Sequence, residues 1–204
     1  AVTEGMAIRP GGPGRAVDVI GAEGQLVVEL NRRGYADARA EPRRVVVDHA
    51  AYTVQPTYRL NAGPLVRLDG VRVETTGRTR PDWVVALAPW TPGDRYSPEA
   101  ISELERFLLE TAVYDSVTVA LAPASQAEAD GARPVVVTLT DRPRRILEIG
   151  ATYSTTEKLG ANFAWSYYNR LGRADTLRFD LSSAAINSRA GVSLGLPHWR
   201  RPGL

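Results

Sequence analysis

The sequence contains no cysteine among its 204 residues. Disulfides and thiolate metal sites are therefore excluded, and the chain is compatible with an oxidising compartment. Histidine is scarce as well. His49 and His198 are the only two, and neither sits in a ligand-spaced cluster, so no metal is expected. No apolar run approaches the roughly 20 residues of a membrane helix. An excess of one charge is also missing: 25 basic residues face 23 acidic ones. No dense Lys/Arg stripe with interleaved aromatics appears, so nucleic acid is not an expected partner. Catalytic constellations are absent too. Ser97 has no G-x-S-x-G around it. The loop Arg9–Gly14 lacks the Lys-Ser/Thr of a phosphate cradle, and Glu103 and Glu105 have no partner acid at useful spacing. Neither enzyme nor cofactor is expected. No signal-peptide pattern is visible, and the chain reads as a fragment of something longer.

What is present falls into three stretches. The first begins with the Gly/Pro run Arg9-Pro10-Gly11-Gly12-Pro13-Gly14. A helix follows over about Val17 to Arg33, with Ile20, Leu26, Val27 and Leu30 as its apolar set and Gly34 placed to end it. Strands are predicted at Arg44–Asp48 and Tyr52–Asn61, and Asn61-Ala62-Gly63-Pro64 marks a turn and domain boundary.

In the second stretch, Val66–Thr75 reads as a strand with a bulge or kink at Asp69-Gly70. Pro81 suits the first turn of a short helix with Trp83, Val84, Leu87 and Ala88 as its buried stripe. Ser97-Pro98-Glu99 is an N-cap serine, an N1 proline and an acid at the positive end of the helix dipole. That helix carries Ile101, Leu104, Phe107 and Leu108 on one face, and strands follow at Ser116–Leu121 and Arg133–Arg142. The order is β-α-α-β-β. Arg33-Gly34-Tyr35-Ala36-Asp37-Ala38 finds an echo in Ala112-Val113-Tyr114-Asp115-Ser116-Val117. In both places a helix precedes and two strands follow, as in an internal repeat whose first copy lacks its leading strand and first helix.

From Arg145 the pattern is strands alone. Each of four segments alternates an apolar face with a polar or small one. Leu147, Ile149, Ala151 and Tyr153 line the first; Leu159, Ala161, Phe163, Trp165 and Tyr167 the second. Leu177, Phe179 and Leu181 line the third, over Thr176–Ala184; Ala190, Val192, Leu194 and Leu196 the fourth, over Ser188–Leu196. Alternation suits a soluble antiparallel sheet as well as a membrane barrel. Strands of about nine or ten residues favour the barrel, since tilted strands need that length to cross a membrane. Tyr153 falls at one end of the apolar band and Trp165, Tyr167 and Trp199 at the other, the placement of a lipid-facing aromatic girdle. Four strands cannot close a barrel, so more must follow. Arg142, Arg144 and Arg145 suit either a lipid-phosphate clamp or a charged lead-in to the first strand, and Gly150 either loosens that strand or makes room inside a barrel.

Several of these segments resemble a known family. The β-α-α-β-β unit with Pro92-Gly93-Asp94-Arg95-Tyr96-Ser97-Pro98 and Val113-Tyr114-Asp115-Ser116-Val117-Thr118-Val119 resembles a polypeptide-transport-associated (POTRA) domain. Asp141-Arg142-Pro143-Arg144-Arg145, Gly150-Ala151-Thr152-Tyr153-Ser154-Thr155 and Tyr168-Asn169-Arg170-Leu171-Gly172-Arg173 resemble the POTRA-to-barrel junction of the outer-membrane insertase superfamily, nearest its TamA branch. The resemblance implies α+β POTRA domains followed by the first strands of a transmembrane antiparallel β-barrel. The expected division is a partial POTRA domain over 1–62, a complete one over 63–143 and the first four barrel strands over 144–204.

It further implies an outer-membrane protein of a Gram-negative bacterium with its POTRA domains in the periplasm. Such a protein helps insert and fold β-barrel or autotransporter clients. Its partners would be outer-membrane lipid, unfolded clients and an inner-membrane-anchored partner subunit. The client edge would be Ser116, Val117, Thr118, Val119 and Leu121, with Arg44–Asp48 as its counterpart in the first copy. The strand carrying Leu147, Ile149, Gly150, Ala151 and Tyr153 would form one side of a lateral gate. A two-partner secretion channel or the main barrel-assembly insertase would use the same plan. A soluble β-rich binding protein is the alternative of another class.

Overall fold

The computed structural model describes residues 8–128, 130–155, 158–185 and 187–198. Its elements run α1 (Ala16–Arg32), β1 (Arg39–Asp48), β2 (Thr53–Asn61), β3 (Arg67–Thr75), α2 (Pro81–Val85), α3 (Pro98–Glu110), β4 (Tyr114–Leu121), β5 (Ala132–Asp141), β6 (Arg145–Ser154), β7 (Lys158–Tyr168), β8 (Thr176–Ala184) and β9 (Ser188–Gly195). A single 3₁₀ turn, Ala124–Gln126, lies between β4 and β5. The chain divides into two compact units. One comprises residues 1–69, 90–99 and 123–133; the other comprises 70–89, 100–122 and 134–204.

In the first unit, α1 buries Val19, Ala22 and Leu26, a spacing of three then four that holds one helical face. Ile20, expected in that stripe, is 55% exposed, because it lies one position round the helix from Val19. The helix ends in a paired cap. Gly34 N–H donates to Asn31 O at 2.9 Å and Tyr35 N–H to Leu30 O at 3.1 Å, with Gly34 at φ 99°. Leu65 Cδ1 would lie 2.8 Å from any Cβ placed there, so glycine is required by both backbone and space. Strands β1 and β2 form an antiparallel pair with a register shift between Glu41 and Arg44. Tyr58 of β2 reaches back to α1, donating its hydroxyl to Val19 O at 2.8 Å.

In the second unit, α3 buries Ile101, Leu104, Phe107 and Leu108 as its sequence pattern predicts. Val84, Leu87, Val113, Val119, Val135, Val137 and Leu139 are buried too. Trp83, read as core, is only half-buried. β3, β5 and β4 form a sheet in that order, so β5 is central although it comes last in the chain. β3 runs through Asp69-Gly70 as one strand. Ala112 ends α3 in the left-handed region at φ 57°, donating to Leu109 O at 3.1 Å. It therefore occupies the position that Gly34 holds after α1. The helix caps thus align Gly34 with Ala112 rather than with Val113, shifting the repeat by one residue from its sequence match.

The remaining strands form an antiparallel meander, β6-β7-β8-β9. They contain 10, 11, 9 and 8 residues. Thr156, Glu157 and Ile186, which fall between these strands in the sequence, lie outside the described residues.

Candidate functional site

The strand register of the meander sorts its side chains into rows. Leu147, Trp165, Phe179 and Val192 are successive partners across the four strands, and Ile149, Phe163, Leu181 and Ala190 form the next row. Arg145, Tyr167, Leu177 and Leu194 make a third. The opposite face carries Glu148, Ala164, Asp180 and Gly191 in one row and Gly150, Asn162, Ser182 and Arg189 in another.

The apolar rows lie largely open. Ile149 is 77% exposed, Val192 68% and Leu147 56%, whereas Ser166 on the polar face is 2% exposed. A contiguous apolar face of this extent left open is not a property of ordinary soluble monomers. On the other face Arg178 pairs with Glu148 at 3.2 Å and donates to Ser166 Oγ at 3.2 Å. Gly150 faces Asn162, whose Nδ2 would lie 2.6 Å from an added Cβ.

The girdle residues are not equivalent. Tyr153 is 77% exposed at the far end of β6. Trp165 is half-buried and packs on Phe179 with ring centroids 5.5 Å apart. Tyr167 lies in the expected row but is 7% exposed, with Arg144 over its ring at 4.7 Å, so it presents little of its ring outward. Trp199 lies outside the described residues.

β4, the predicted client edge, is at the outside of its sheet, paired with β5 alone. Its side chains divide cleanly. Val119 is buried and Val117 and Leu121 half-buried, while Ser116 and Thr118 are exposed. Such an edge offers unpaired backbone groups. β1, which carries Arg44–Asp48, pairs among the described residues with β2. His49 is exposed, and no group of three potential metal ligands occurs among the described residues.

A buried polar network joins the β7–β8 turn to the β-α-α-β-β segment. Asn169 is 2% exposed; its Nδ2 donates to Thr79 Oγ1 at 2.9 Å and to Asp141 Oδ2 at 3.1 Å. Thr79 Oγ1 also lies 2.9 Å from Tyr114 Oη. Burial pushes the Tyr114 phenol well above its ordinary value, keeping it protonated. Within the turn, Asn169 Oδ1 accepts from Ala174 N–H at 3.1 Å, and buried Asp175 accepts from Leu171 N–H at 2.7 Å. Gly172 O accepts from Arg80 N–H at 2.9 Å, and an added Cβ on Gly172 would meet Arg78 O at 2.7 Å. The motif Tyr168–Arg173 marked this place in the sequence. Tyr114 and Asp141 stand in two of the other motifs, but nothing in the sequence paired them or Thr79 with Asn169, since the partners come from three separate segments.

A solved structure has a similar fold. BamA from Haemophilus ducreyi lacking POTRA domains 1–3 superposes with a TM-score of 0.78 at 19% identity, over 95% of this chain and 36% of that one. The two share a fold. A second likeness, Haemophilus influenzae BamA POTRA3–5, has a TM-score of 0.51 at 19% identity, covering 62% of this chain and 49% of that one. CdiB from Acinetobacter baumannii is more distant, with a TM-score of 0.48 at 14% identity over 87% of this chain and 32% of that one. This chain therefore spans about a third to a half of the length of these proteins. No protein-family model matches the sequence, and no curated protein sequence does.

Proposed function

We propose that this chain is part of an outer-membrane protein-assembly factor of the insertase superfamily, nearest its TamA branch, with periplasmic POTRA domains. Residues 1–62 would be a partial POTRA domain, 63–143 a complete one and 144–204 the start of the barrel. The observation that carries this is the joint occurrence of an open apolar sheet face on β6–β9 and a β-α-α-β-β segment with a free β4 edge. Lipid would cover the first, and an unfolded client strand would add to the second by backbone pairing. Backbone pairing tolerates many client sequences, because every residue offers nearly the same N–H and C=O groups. β6, carrying Leu147, Ile149, Gly150, Ala151 and Tyr153, would face the closing strand of the barrel at a lateral gate. Autotransporter-type clients and an inner-membrane-anchored partner subunit complete the proposal.

Two measurements test it. The full-length protein should fractionate with outer membranes and show heat-modifiable gel mobility; solubility without detergent would overturn the membrane assignment. A photo-crosslinker at Thr118 should capture unfolded barrel clients, whereas one at buried Val137 of the central strand should not. Capture of a single dedicated passenger would point instead to a secretion channel.

A further inference from the structure

Four arginines gather where the apolar face of the β6–β9 sheet ends. Arg144 immediately precedes β6, Arg145 opens it, Arg170 lies in the β7–β8 turn and Arg78 precedes α2. Arg78, Arg145 and Arg170 lie close enough to act electrostatically on Arg144, whose side chain is exposed. Among the described residues none of these four guanidinium groups has a carboxylate in ion-pair range. Two of them nevertheless face a single ring: the Cζ atoms of Arg144 and Arg145 lie 4.7 Å and 5.6 Å from the Tyr167 centroid. Arg144 also donates to the Tyr167 hydroxyl. Next to this ring is a cavity of about 310 Å³ lined by Arg144, Arg170, Trp165, Tyr167 and Leu177.

We propose that this cavity binds the phosphate of an anionic phospholipid headgroup, held by Arg144 and Arg170, with the start of an acyl chain along Trp165 and Leu177. The inference rests on the membrane assignment above. Asp141 and Asp175 accept from the backbone N–H groups of Arg78 and Arg170, which leaves the clustered guanidinium groups to repel one another, and an anion between them relieves the repulsion. The flat guanidinium fork matches phosphate oxygens in a way an ammonium does not. Tyr167 fixes the arginine geometry through its π face. The other wall identifies the source of the phosphate. Trp165 and Leu177 belong to rows of the apolar face, so the cavity opens onto the surface that lipid would cover. Tryptophan at that level is the expected interfacial anchor. A free phosphate has no use for such a wall.

The test uses the full-length protein folded in neutral detergent micelles, with bound lipid counted by native mass spectrometry. Phosphatidylglycerol should bind saturably, and phosphatidylcholine should bind far more weakly. Inorganic phosphate at equal concentration should not displace the lipid. The double variant Arg144→Gln/Arg170→Gln should lose about 25-fold in phosphatidylglycerol affinity, at about fivefold per arginine near a membrane surface. Arg144→Lys/Arg170→Lys, which keeps the charge but not the fork, should fall between. Equal binding of the two lipids, or an unchanged Gln double variant, would overturn the site. Full competition by inorganic phosphate would overturn its assignment to lipid. Heat-modifiable mobility separates the two proposals: its absence in the unaltered chain removes the membrane assignment and this site with it. Normal mobility without lipid selectivity removes this site alone.

Discussion

Asn169 and Thr79 stand 90 residues apart in sequence, yet the Asn169 amide donates to the Thr79 hydroxyl at 2.9 Å in a buried setting. The same amide reaches Asp141, so one side chain of the β7–β8 turn holds the segment before α2 and the end of β5 together. Asparagine suits the place for a second reason. Its backbone has φ 51°, a left-handed conformation in which asparagine is enriched.

Replacing this residue separates the two reasons. Asn169→Gly keeps the backbone but leaves Thr79, Asp141 and the Ala174 N–H without their partner. A loss of about 2–3 kcal/mol is expected, since buried polar groups would go unsatisfied. Asn169→Asp should cost more, because a second carboxylate would face Asp141. Hydrogen exchange at the 169–175 amides of the detergent-folded protein measures both; protection equal to the unaltered chain would show that the network does not hold the turn.

The two helix caps give a paired prediction. Ala112→Gly relieves a left-handed alanine and should stabilise by about 0.5–1 kcal/mol. Gly34→Ala should destabilise by more than about 1 kcal/mol, since it meets both an unfavourable φ and Leu65. Urea midpoints of the two variants should move in opposite directions.

Asp37 and Arg133 form an ion pair within the first unit, with Arg133 4% exposed. The hydrogen bond from Arg133 holds the Asp37 carboxyl below its ordinary value. The unfolded chain binds the proton more readily than the folded one. The pair's contribution is therefore present above the ordinary carboxylate pKa of about 3.9 and disappears as pH falls through the depressed folded value. Asp37→Asn should destabilise near neutrality and narrow its gap to the unaltered protein at the most acidic pH. A gap independent of pH would show that charge is not what the pair contributes.

The exposed face of β6–β9 can be probed by direction. Ile149→Arg places a charge in the middle of the apolar rows and should cost about 2–4 kcal/mol in folding into lipid vesicles. Gln at Arg189, on the opposite face, should change this little. Equal effects at both positions would argue that lipid does not contact the Ile149 face.

Much of the architecture was legible in local patterns. Period-two alternation located β6 to β9, and Ser97-Pro98 with the Ile101, Leu104, Phe107 and Leu108 stripe located α3. These signals are local because strand and helix periodicity arise from the backbone itself. Ile20 was misplaced because two adjacent aliphatic residues, Val19 and Ile20, compete for one face and only packing chooses between them. The repeat was visible but one residue out of register, because Tyr35 and Tyr114 match as letters while the caps match at Gly34 and Ala112.

The sequence by itself determined the order of elements, the two-faced character of four long strands and the absence of thiols. Those properties follow from composition and spacing along the chain. Tertiary structure alone decided that β5 sits between β3 and β4, since β3 reaches β5 through pairing across the two helices. It also decided that the apolar rows stay open, and that Asn169, Thr79, Tyr114 and Asp141 meet. Hydrogen bonds across 35 or 90 residues have no period, so nothing local in the chain announces them.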